Sequence, residues 1–191
     1  MCGRVVQKTP MSEIQVLFGT VNPLPNAAPT YNGAPTDTLP LVRLDRDGRR
    51  SLDLCRWGLI PYWAKDKSIG PRCINAMAET VATKPAFRDA FGRGRRCIVP
   101  VDGFYEWQKT PTGKQPYAIA GADGLPLALA GLWEGWKDRA TGEMVQTFTI
   151  VTTVPNELCG AIHDRMPVIL PREKGRVGLA SGRPMRTSCA G

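Results

Sequence analysis

The N-terminus carries the most reactive combination of groups in the sequence. Removal of Met1 would leave Cys2 with a free α-amine and a thiol on adjacent carbons. Reference pKa values are about 7.7–8.0 for such an amine and about 8.5 for a thiol, so both groups are partly nucleophilic near neutral pH. Cys2 is therefore a double nucleophile that needs an electrophile. The alternative is a cysteine at an unstructured terminus, without a chemical role.

Two further side chains are candidates for proton transfer. His163 is the only histidine in the sequence, so any imidazole acid or base has to be this residue, although a single histidine can equally be structural. Glu106 lies between Tyr105 and Trp107, where strand alternation allows its carboxylate to face either side. Facing inward among aromatic rings, it would be suited to acid–base chemistry, and facing outward it would be an exposed rim residue.

Aromatic and basic residues are interleaved over residues 56–72, with a further tryptophan at 107, as in surfaces that stack bases and hold phosphates. The members of this set are Trp57, Tyr62, Trp63 and Trp107, with Arg56, Lys65, Lys67 and Arg72. Core packing explains Trp57 and Trp107 equally well. The net charge of +8 also favours a polyanionic partner, because Lys and Arg release counterions from phosphate backbones.

Length and composition exclude several classes of protein. A chain of 191 residues that is 42% hydrophobic can bury one sizeable core, and no apolar run approaches the ~18 residues of a membrane helix. The N-terminus lacks the pattern of a signal peptide, so we expect a cytoplasmic protein with no membrane association. The 6 cysteines are scattered and form no pattern of zinc ligands. We expect reduced thiols, no metal and no cofactor.

Short apolar segments separated by turns predict a β-rich framework for these side chains. The predicted strands are 39–44, 52–57, 59–63, 97–101, 103–107, 127–133 and 147–154. Turn residues at 45–48 join the first two strands as a hairpin. Helices are predicted at 11–19, with Ser12 as N-cap and Gly19 as its end, and at 84–91. The fold class is therefore α+β, a single β-rich domain with a few short helices.

The end of the chain differs in composition from the rest. From Pro171 the apolar periodicity disappears, and Gly, Arg and Ser dominate. We therefore expect residues 1–171 to form the domain and residues 172–191 to form a basic, disordered tail.

Eight short segments, spread over residues 1 to about 170, match one known pattern in content and order. They are MCGR (1–4), YNGAPT (31–36), RWGLIPYWAKD (56–66), INA (74–76), AET (78–80), PAFR (85–88), DGFYEW (102–107) and IHDRMP (162–167). With these segments the sequence resembles the SOS-response-associated peptidase (SRAP) family of abasic-site processing proteins.

The resemblance implies a reaction for the N-terminus. It implies loss of Met1 by self-processing and binding of single-stranded DNA that contains an abasic site. The amine of Cys2 would attack the aldehyde of the ring-opened sugar to give an imine, and the thiol would then close a thiazolidine. This chemistry would place the protein in the DNA damage (SOS) response, as a monomer in the cytoplasm that associates with the nucleoid when bound to DNA.

The resemblance also implies roles for individual residues. Cys2, Asn75, Glu106 and His163 would be catalytic, with Glu106 and His163 moving protons and Asn75 positioning Cys2 or the sugar. The DNA contacts implied are Arg4, Asn32, Trp63 and Arg72.

The sequence departs from the family pattern at two places. Met77 stands where the family usually has an arginine that contacts the phosphate backbone, so one phosphate contact is lost. After residue 170 the chain also lacks the family's usual further helix and strand. Two alternatives to this function stay open. One is a single-stranded DNA binder with weakened catalysis, as these departures suggest. The other is an N-terminal-nucleophile glutamine amidotransferase, which also begins Met-Cys-Gly but has further motifs that are absent here.

Overall fold

The computed structural model describes residues 2–171, where eleven strands form two sheets. Met1 and the predicted tail, residues 172–191, lie outside the described residues. The strands are β1 (Val5–Gln7), β2 (Thr30–Gly33), β3 (Thr38–Leu44), β4 (Arg50–Trp57), β5 (Asn75–Met77), β6 (Arg96–Val101), β7 (Gly103–Thr110), β8 (Gly113–Ile119), β9 (Leu127–Lys137), β10 (Met144–Thr153) and β11 (Met166–Pro167). The helices are α1 (Met11–Phe18), a 3₁₀ helix (Lys67–Arg72), α2 (Arg88–Gly92) and α3 (Glu157–Gly160). The prediction of a β-rich α+β fold is confirmed.

The larger sheet closes on itself. Its order is β11-β10-β4-β3-β6-β9, and β9 also pairs with β10, so five of its strands form a ring. Strand β10 pairs in parallel with β4. Further along, the same strand β10 pairs in parallel with β5, with Ile150 opposite Asn75. Closure satisfies backbone groups that an open sheet would leave at its edges.

The smaller sheet has the order β2-β1-β7-β8 and is joined to the ring through Asp102. This residue separates β6 from β7, and its carboxylate accepts hydrogen bonds from the Lys8 and Thr9 backbone N–H groups at 2.6 and 3.0 Å. The next residue is Gly103, where a Cβ would lie only 2.8 Å from the Ile119 carbonyl oxygen. These contacts fix the N-terminal strand β1 against β7.

The main core lies between the ring and the smaller sheet and contains the first described residue of the chain. Trp57 and Phe148 are fully buried there, with ring centroids 6.1 Å apart and planes inclined by 13°. The Trp57 indole N–H donates to the Ile74 carbonyl at 2.9 Å, just before β5 begins. Cys2 belongs to the same cluster of buried side chains. Trp57 is therefore a core residue and contributes nothing to a base-stacking surface.

Both helices predicted from sequence are present, with corrected starts. Gly19 ends α1 in the left-handed region, with φ of 63°, as predicted. Ser12 is not the N-cap, because Pro10 holds that position and its carbonyl accepts from the Glu13 N–H at 3.0 Å. The second helix, α2, begins at residue 88 rather than 84, because turns and a bend occupy residues 78–87 before it.

The predicted hairpin at 39–57 is confirmed by the pairing of β3 with β4. The predicted strand 59–63 is wrong. Its backbone groups bond to loops and side chains instead: the Ile60 N–H donates to Thr147 Oγ1 at 3.0 Å, and the Ala64 N–H donates to the Pro61 carbonyl at 2.9 Å. No helix among the described residues is long and apolar enough to cross a membrane.

Candidate active site

Cys2 is buried at the junction of the two sheets rather than lying in a loose terminus. Its side chain is 0% exposed, and the strand that follows is held by β7, with Val5 opposite Phe104. The Tyr105 N–H donates to the Arg4 carbonyl at 3.0 Å, which extends this pairing toward Cys2. A nucleophile at this position is therefore held in one place by the fold.

Asn75 connects β5 to the N-terminal residue. Its side-chain Nδ2 donates to the Cys2 carbonyl oxygen at 2.8 Å. The other amide atom, Oδ1, is buried and has no hydrogen-bond partner within residues 2–171. Because buried polar atoms are rarely left unpaired, this acceptor is available for an amine or hydroxyl group that enters the site.

Glu106 faces the interior of the protein, which settles the choice that its sequence context leaves open. Its side chain is 3% exposed, on the central strand β7 of the smaller sheet. Burial, with a smaller contribution from the nearby Glu106 carboxylate, raises the pKa of the Cys2 thiol from 9.0 to about 12. Burial, with a contribution from Glu106, also raises the pKa of the Cys159 thiol. Glu106 is thus near both thiols, and the Cys2 thiol carries its proton at neutral pH.

His163 approaches this cluster through α3. Asn156 caps α3 by accepting from the Cys159 N–H at 2.9 Å, and the His163 N–H donates to the Cys159 carbonyl at 2.8 Å. His163 therefore lies three residues after the end of α3, the helix that carries Cys159. The His163 side chain is 29% exposed, so it is reachable from solvent.

The Nδ1 atom of His163 has two neighbours of opposite character. It lies 3.1 Å from the backbone nitrogen of Arg165 and 2.7 Å from Asp164 Oδ1. One nitrogen cannot accept from the first and donate to the second at the same time. The Asp164 side chain is 87% exposed and free to turn into water, whereas the backbone N–H is fixed, so we assign the acceptor role to Nδ1 in the neutral ring. The ring proton is then on Nε2.

An ion pair that sequence reasoning did not include among the site residues ties the His163 segment to the turn after β5, and a further hydrogen bond ties it to β10. Arg165 donates to both carboxylate oxygens of Glu79, at 3.0 and 2.9 Å, and to the Thr152 carbonyl at 2.8 Å. The Arg165 side-chain hydrogen bonds lower the pKa of Glu79. The signal in the sequence is the pair of opposite charges in two short polar motifs, AET and HDR, although nothing in their spacing shows that they meet.

The predicted DNA contacts come from two separate stretches of the chain. Arg4 and Asn32 belong to the smaller sheet region beside Cys2, where the Arg4 guanidinium donates to the Gly3 carbonyl at 2.7 Å. Trp63 is 42% exposed, and Arg72 is exposed at the end of the 3₁₀ helix. Both lie on the connection that leads from β4 to Asn75.

Among the described residues, no group of three or more His, Cys, Asp or Glu side chains is placed to hold a metal ion. The cysteines at 2, 55, 73, 97 and 159 are all free and buried. The nucleophile, an amide and a carboxylate are thus assembled from distant parts of the sequence, with the histidine segment linked to them through Cys159.

Comparison with known families decides the assignment. The family described as SOS response associated peptidase (SRAP) matches residues 1–186. The chain belongs to the SRAP family.

Relatives within the SRAP family are similar over most of this chain. Abasic site processing protein YoqW of Bacillus subtilis (strain 168) is 44% identical over 182 residues, which is 94% of this chain and 80% of YoqW. Abasic site processing protein YedK of Escherichia coli (strain K12) is 35% identical over 181 residues, 92% of this chain and 78% of YedK. A crystal structure of a protein from Bacteroides thetaiotaomicron superposes with a TM-score of 0.85 at 28% identity, covering 94% of this chain and 81% of that one. This chain therefore resembles its relatives in sequence and a solved structure in fold.

Proposed function

We propose that this SRAP protein is an abasic-site processing enzyme that binds single-stranded DNA and links itself covalently to the lesion through Cys2. The observation that carries the proposal is the buried Cys2, whose carbonyl is held by Asn75 and whose thiol lies near Glu106. The names of YoqW and YedK, which describe abasic-site processing, support the same substrate.

The reaction needs an aldehyde and the free amine of Cys2. After Met1 has been hydrolysed off by the protein itself, the amine adds to C1′ of the ring-opened sugar, and loss of water gives an imine. The Cys2 sulfur then adds to the imine carbon while its proton passes to the nitrogen, which closes a five-membered thiazolidine. This second step is intramolecular, so its effective molarity is high.

The raised pKa of the Cys2 thiol sets the order of these steps. Because burial and Glu106 hold the thiol in its protonated form, the amine attacks first and the sulfur follows. Addition of sulfur to the imine then requires a group that accepts the thiol proton and returns a proton to nitrogen. Glu106, buried beside the thiol, performs this transfer in both directions.

His163 and Asn75 act on the sugar side of the reaction. In the imidazolium form, with Nδ1–H donating to Asp164 Oδ1 at 2.7 Å, His163 can give its Nε2 proton to the sugar ring oxygen as the ring opens and return to the neutral ring. The unpaired Oδ1 of Asn75 accepts from the Cys2 amine or from a sugar hydroxyl. These two roles support opening of the sugar and reversal of the crosslink.

The DNA strand contacts the surface that surrounds these residues. Arg4, Asn32, Trp63 and Arg72 provide two cationic groups, an amide and an exposed indole, which suit phosphates and unpaired bases. The net charge of +8 adds a long-range attraction to the strand. We assign these functions to a monomer in the cytoplasm, associated with the nucleoid when bound to DNA, with residues 1–171 as its folded domain.

The deciding experiment is intact-mass analysis of the purified full chain after incubation with a single-stranded oligonucleotide that contains one abasic site. We expect a denaturant-resistant adduct, formed by protein that lacks Met1 and not formed by Cys2→Ala. Reducing the site with borohydride beforehand removes the aldehyde and must prevent the adduct. Binding without an adduct would favour the weakened single-strand binder, and release of ammonia from glutamine would favour the amidotransferase.

A further inference from the structure

Strand β5 presents two side chains toward the same face. Asn75 is partly exposed and Met77 is exposed. Ala76, between them, is fully buried in a core cluster separate from the one that contains Cys2. Because side chains alternate along a strand, Asn75 and Met77 share a face and stand about 7 Å apart. The pairing of β5 with β10 fixes this placement, with Asn75 opposite Ile150 and Met77 opposite Thr152. Met77 therefore lies one step along the strand from the amide that holds Cys2.

The Met77 side chain is available to a ligand, since 46% of its surface is exposed. The positive charge that the fold places at this end of β5 belongs to Arg165, which bonds to the carbonyl of Thr152, the partner of Met77. Glu79 neutralises that charge with two hydrogen bonds to the guanidinium. This edge of the site thus offers an apolar side chain beside a compensated charge, a poor environment for binding a phosphate.

The chemistry of a thioether suits a different part of the DNA. Methionine is flexible and polarisable, and its sulfur makes favourable contacts with aromatic rings. A nucleobase presents such a ring, and an unpaired strand leaves it free to be contacted. An exposed methionine alone is an ordinary surface feature. Met77, however, shares a face of β5 with Asn75, so DNA that reacts at Cys2 would pass close to its side chain.

We propose that Met77 packs against the base next to the abasic site, so that strand β5 senses a neighbouring base through Met77 while Asn75 holds Cys2. The inference rests on the proposed function, because it takes the lesion to lie at Cys2. It adds a specificity-determining residue: the protein should favour a lesion with an intact base on the flank that Met77 reaches.

Binding and crosslinking of the full chain test this proposal separately. Affinity is measured with single-stranded oligonucleotides that carry a tetrahydrofuran abasic analogue, which has no aldehyde. In two further oligonucleotides, the nucleoside on the 5′ or the 3′ side of this analogue is replaced by a propanediol spacer, which has neither base nor sugar ring, so the tetrahydrofuran residue stays the one lesion analogue in the strand. We expect the wild-type protein to lose about fivefold in affinity when the base on one of the two sides is missing. Adduct formation is measured in parallel with a natural abasic site.

Variants at position 77 assign the effect. Met77→Ala should bind the fully flanked oligonucleotide about fivefold more weakly and should no longer distinguish the three oligonucleotides, while Met77→Leu should retain the distinction. Met144→Ala is the matched control, because Met144 is 58% exposed and lies at the opposite end of β10 from Thr152. It should behave as the wild-type protein does.

Two results would overturn the inference and leave the proposed function in place: wild-type protein that forms the Cys2 adduct but is indifferent to both flanking bases, or Met77→Ala that keeps the wild-type preference. Absence of any Cys2-dependent adduct with the natural abasic site would overturn the proposed function itself, and the inference with it.

Discussion

The side-chain Nδ2 of Asn75 donates a hydrogen bond to the Cys2 carbonyl oxygen at 2.8 Å, across 73 residues of sequence. The contact joins the N-terminus to β5, a strand that is itself held by β10. A terminal residue fixed by backbone pairing on one side and by an amide on the other loses little further freedom when it reacts. The site is thus organised before a ligand binds, which lowers the entropic part of the barrier.

Replacing Asn75 by Ala should slow adduct formation about tenfold, because it leaves the buried Cys2 carbonyl without its donor and frees the nucleophile to move. The rate is measured by quenched time courses on denaturing gels. Asn22→Ala is the matched control, since Asn22 also bonds the backbone, accepting from the Leu52 N–H at 2.7 Å and donating to its carbonyl at 2.9 Å. The control should lose stability but keep its rate, and an equal loss of rate in both variants would assign Asn75 a purely structural role.

The Cys2→Ser variant separates the two nucleophilic steps. Serine keeps the α-amine after Met1 is removed but lacks the thiol, so the reaction should stop at the imine. We expect no adduct that survives denaturation alone, and a covalent adduct when cyanoborohydride is present to reduce the imine. A stable adduct without reductant would show that ring closure by sulfur is not what makes the crosslink permanent.

The two proposed proton carriers should fail in different ways. Glu106→Gln keeps the shape of the side chain but removes the acid, so both formation and reversal of the crosslink should slow by about 10²-fold. His163→Ala should slow reversal and opening of the sugar more than it lowers the final yield. Both rates are measured with the natural abasic oligonucleotide, reversal being followed by transfer to a labelled second strand. Wild-type rates in both variants would leave the family membership intact and refute these roles.

The sequence predicts the strands well but shows little about how the site is assembled. Apolar periodicity is a local property, so it identifies the hairpin of β3 and β4, and Gly19 marks the end of α1 because a left-handed φ suits glycine. The failed strand at 59–63 is equally apolar. It forms a buried loop, in which the Ile60 N–H donates to the Thr147 side chain on β10. Apolar periodicity cannot distinguish such a buried loop from a paired strand.

Contacts between residues far apart in the sequence could not be predicted from the sequence. The family pattern names Asn75, Glu106 and His163, but it carries no information about the inward orientation of Glu106. It is equally silent on the tie between Arg165 and Glu79, which are 86 residues apart. Cys159 carries no motif of its own, and only the fold places its thiol near Glu106.

The stability of the protein should fall as the pH rises from about 9 to about 12. The pKa of the Cys2 thiol is 9.0 in its ordinary state and is raised to about 12 in the fold, mainly by burial. The folded protein therefore binds this proton more tightly than the unfolded chain does. The resulting stabilisation is complete below pH 9 and is lost as the pH passes through the folded-state pKa.

Urea unfolding of the wild-type protein and of Cys2→Ala at pH 8, 9.5 and 11 measures the Cys2 share of this pH dependence. The variant should have a shallower decline, because its position 2 no longer titrates. The Cys55 thiol, whose pKa is also raised to about 12, contributes the same decline to both proteins and cancels in the comparison. Parallel curves would mean that the Cys2 thiol is not buried in solution.

Introducing arginine at position 77 should change DNA binding without changing the chemistry. Met77 lies on the face of β5 that carries Asn75, so an arginine there extends toward the strand that occupies the site. One additional phosphate contact steepens the dependence of log affinity on log salt by roughly 0.7 for single-stranded DNA.

Met77→Arg should therefore bind the tetrahydrofuran oligonucleotide more tightly at low salt, with a gain that shrinks as salt is added. The rate of adduct formation at saturating DNA should stay at the wild-type value, because position 77 moves no proton and holds no reacting atom. Met144→Arg adds the same charge at the far end of β10 and controls for net charge, so its slope should change by less. Equal slopes in the two arginine variants would mean that position 77 does not face the DNA backbone, and the gain in affinity would then be a general effect of charge.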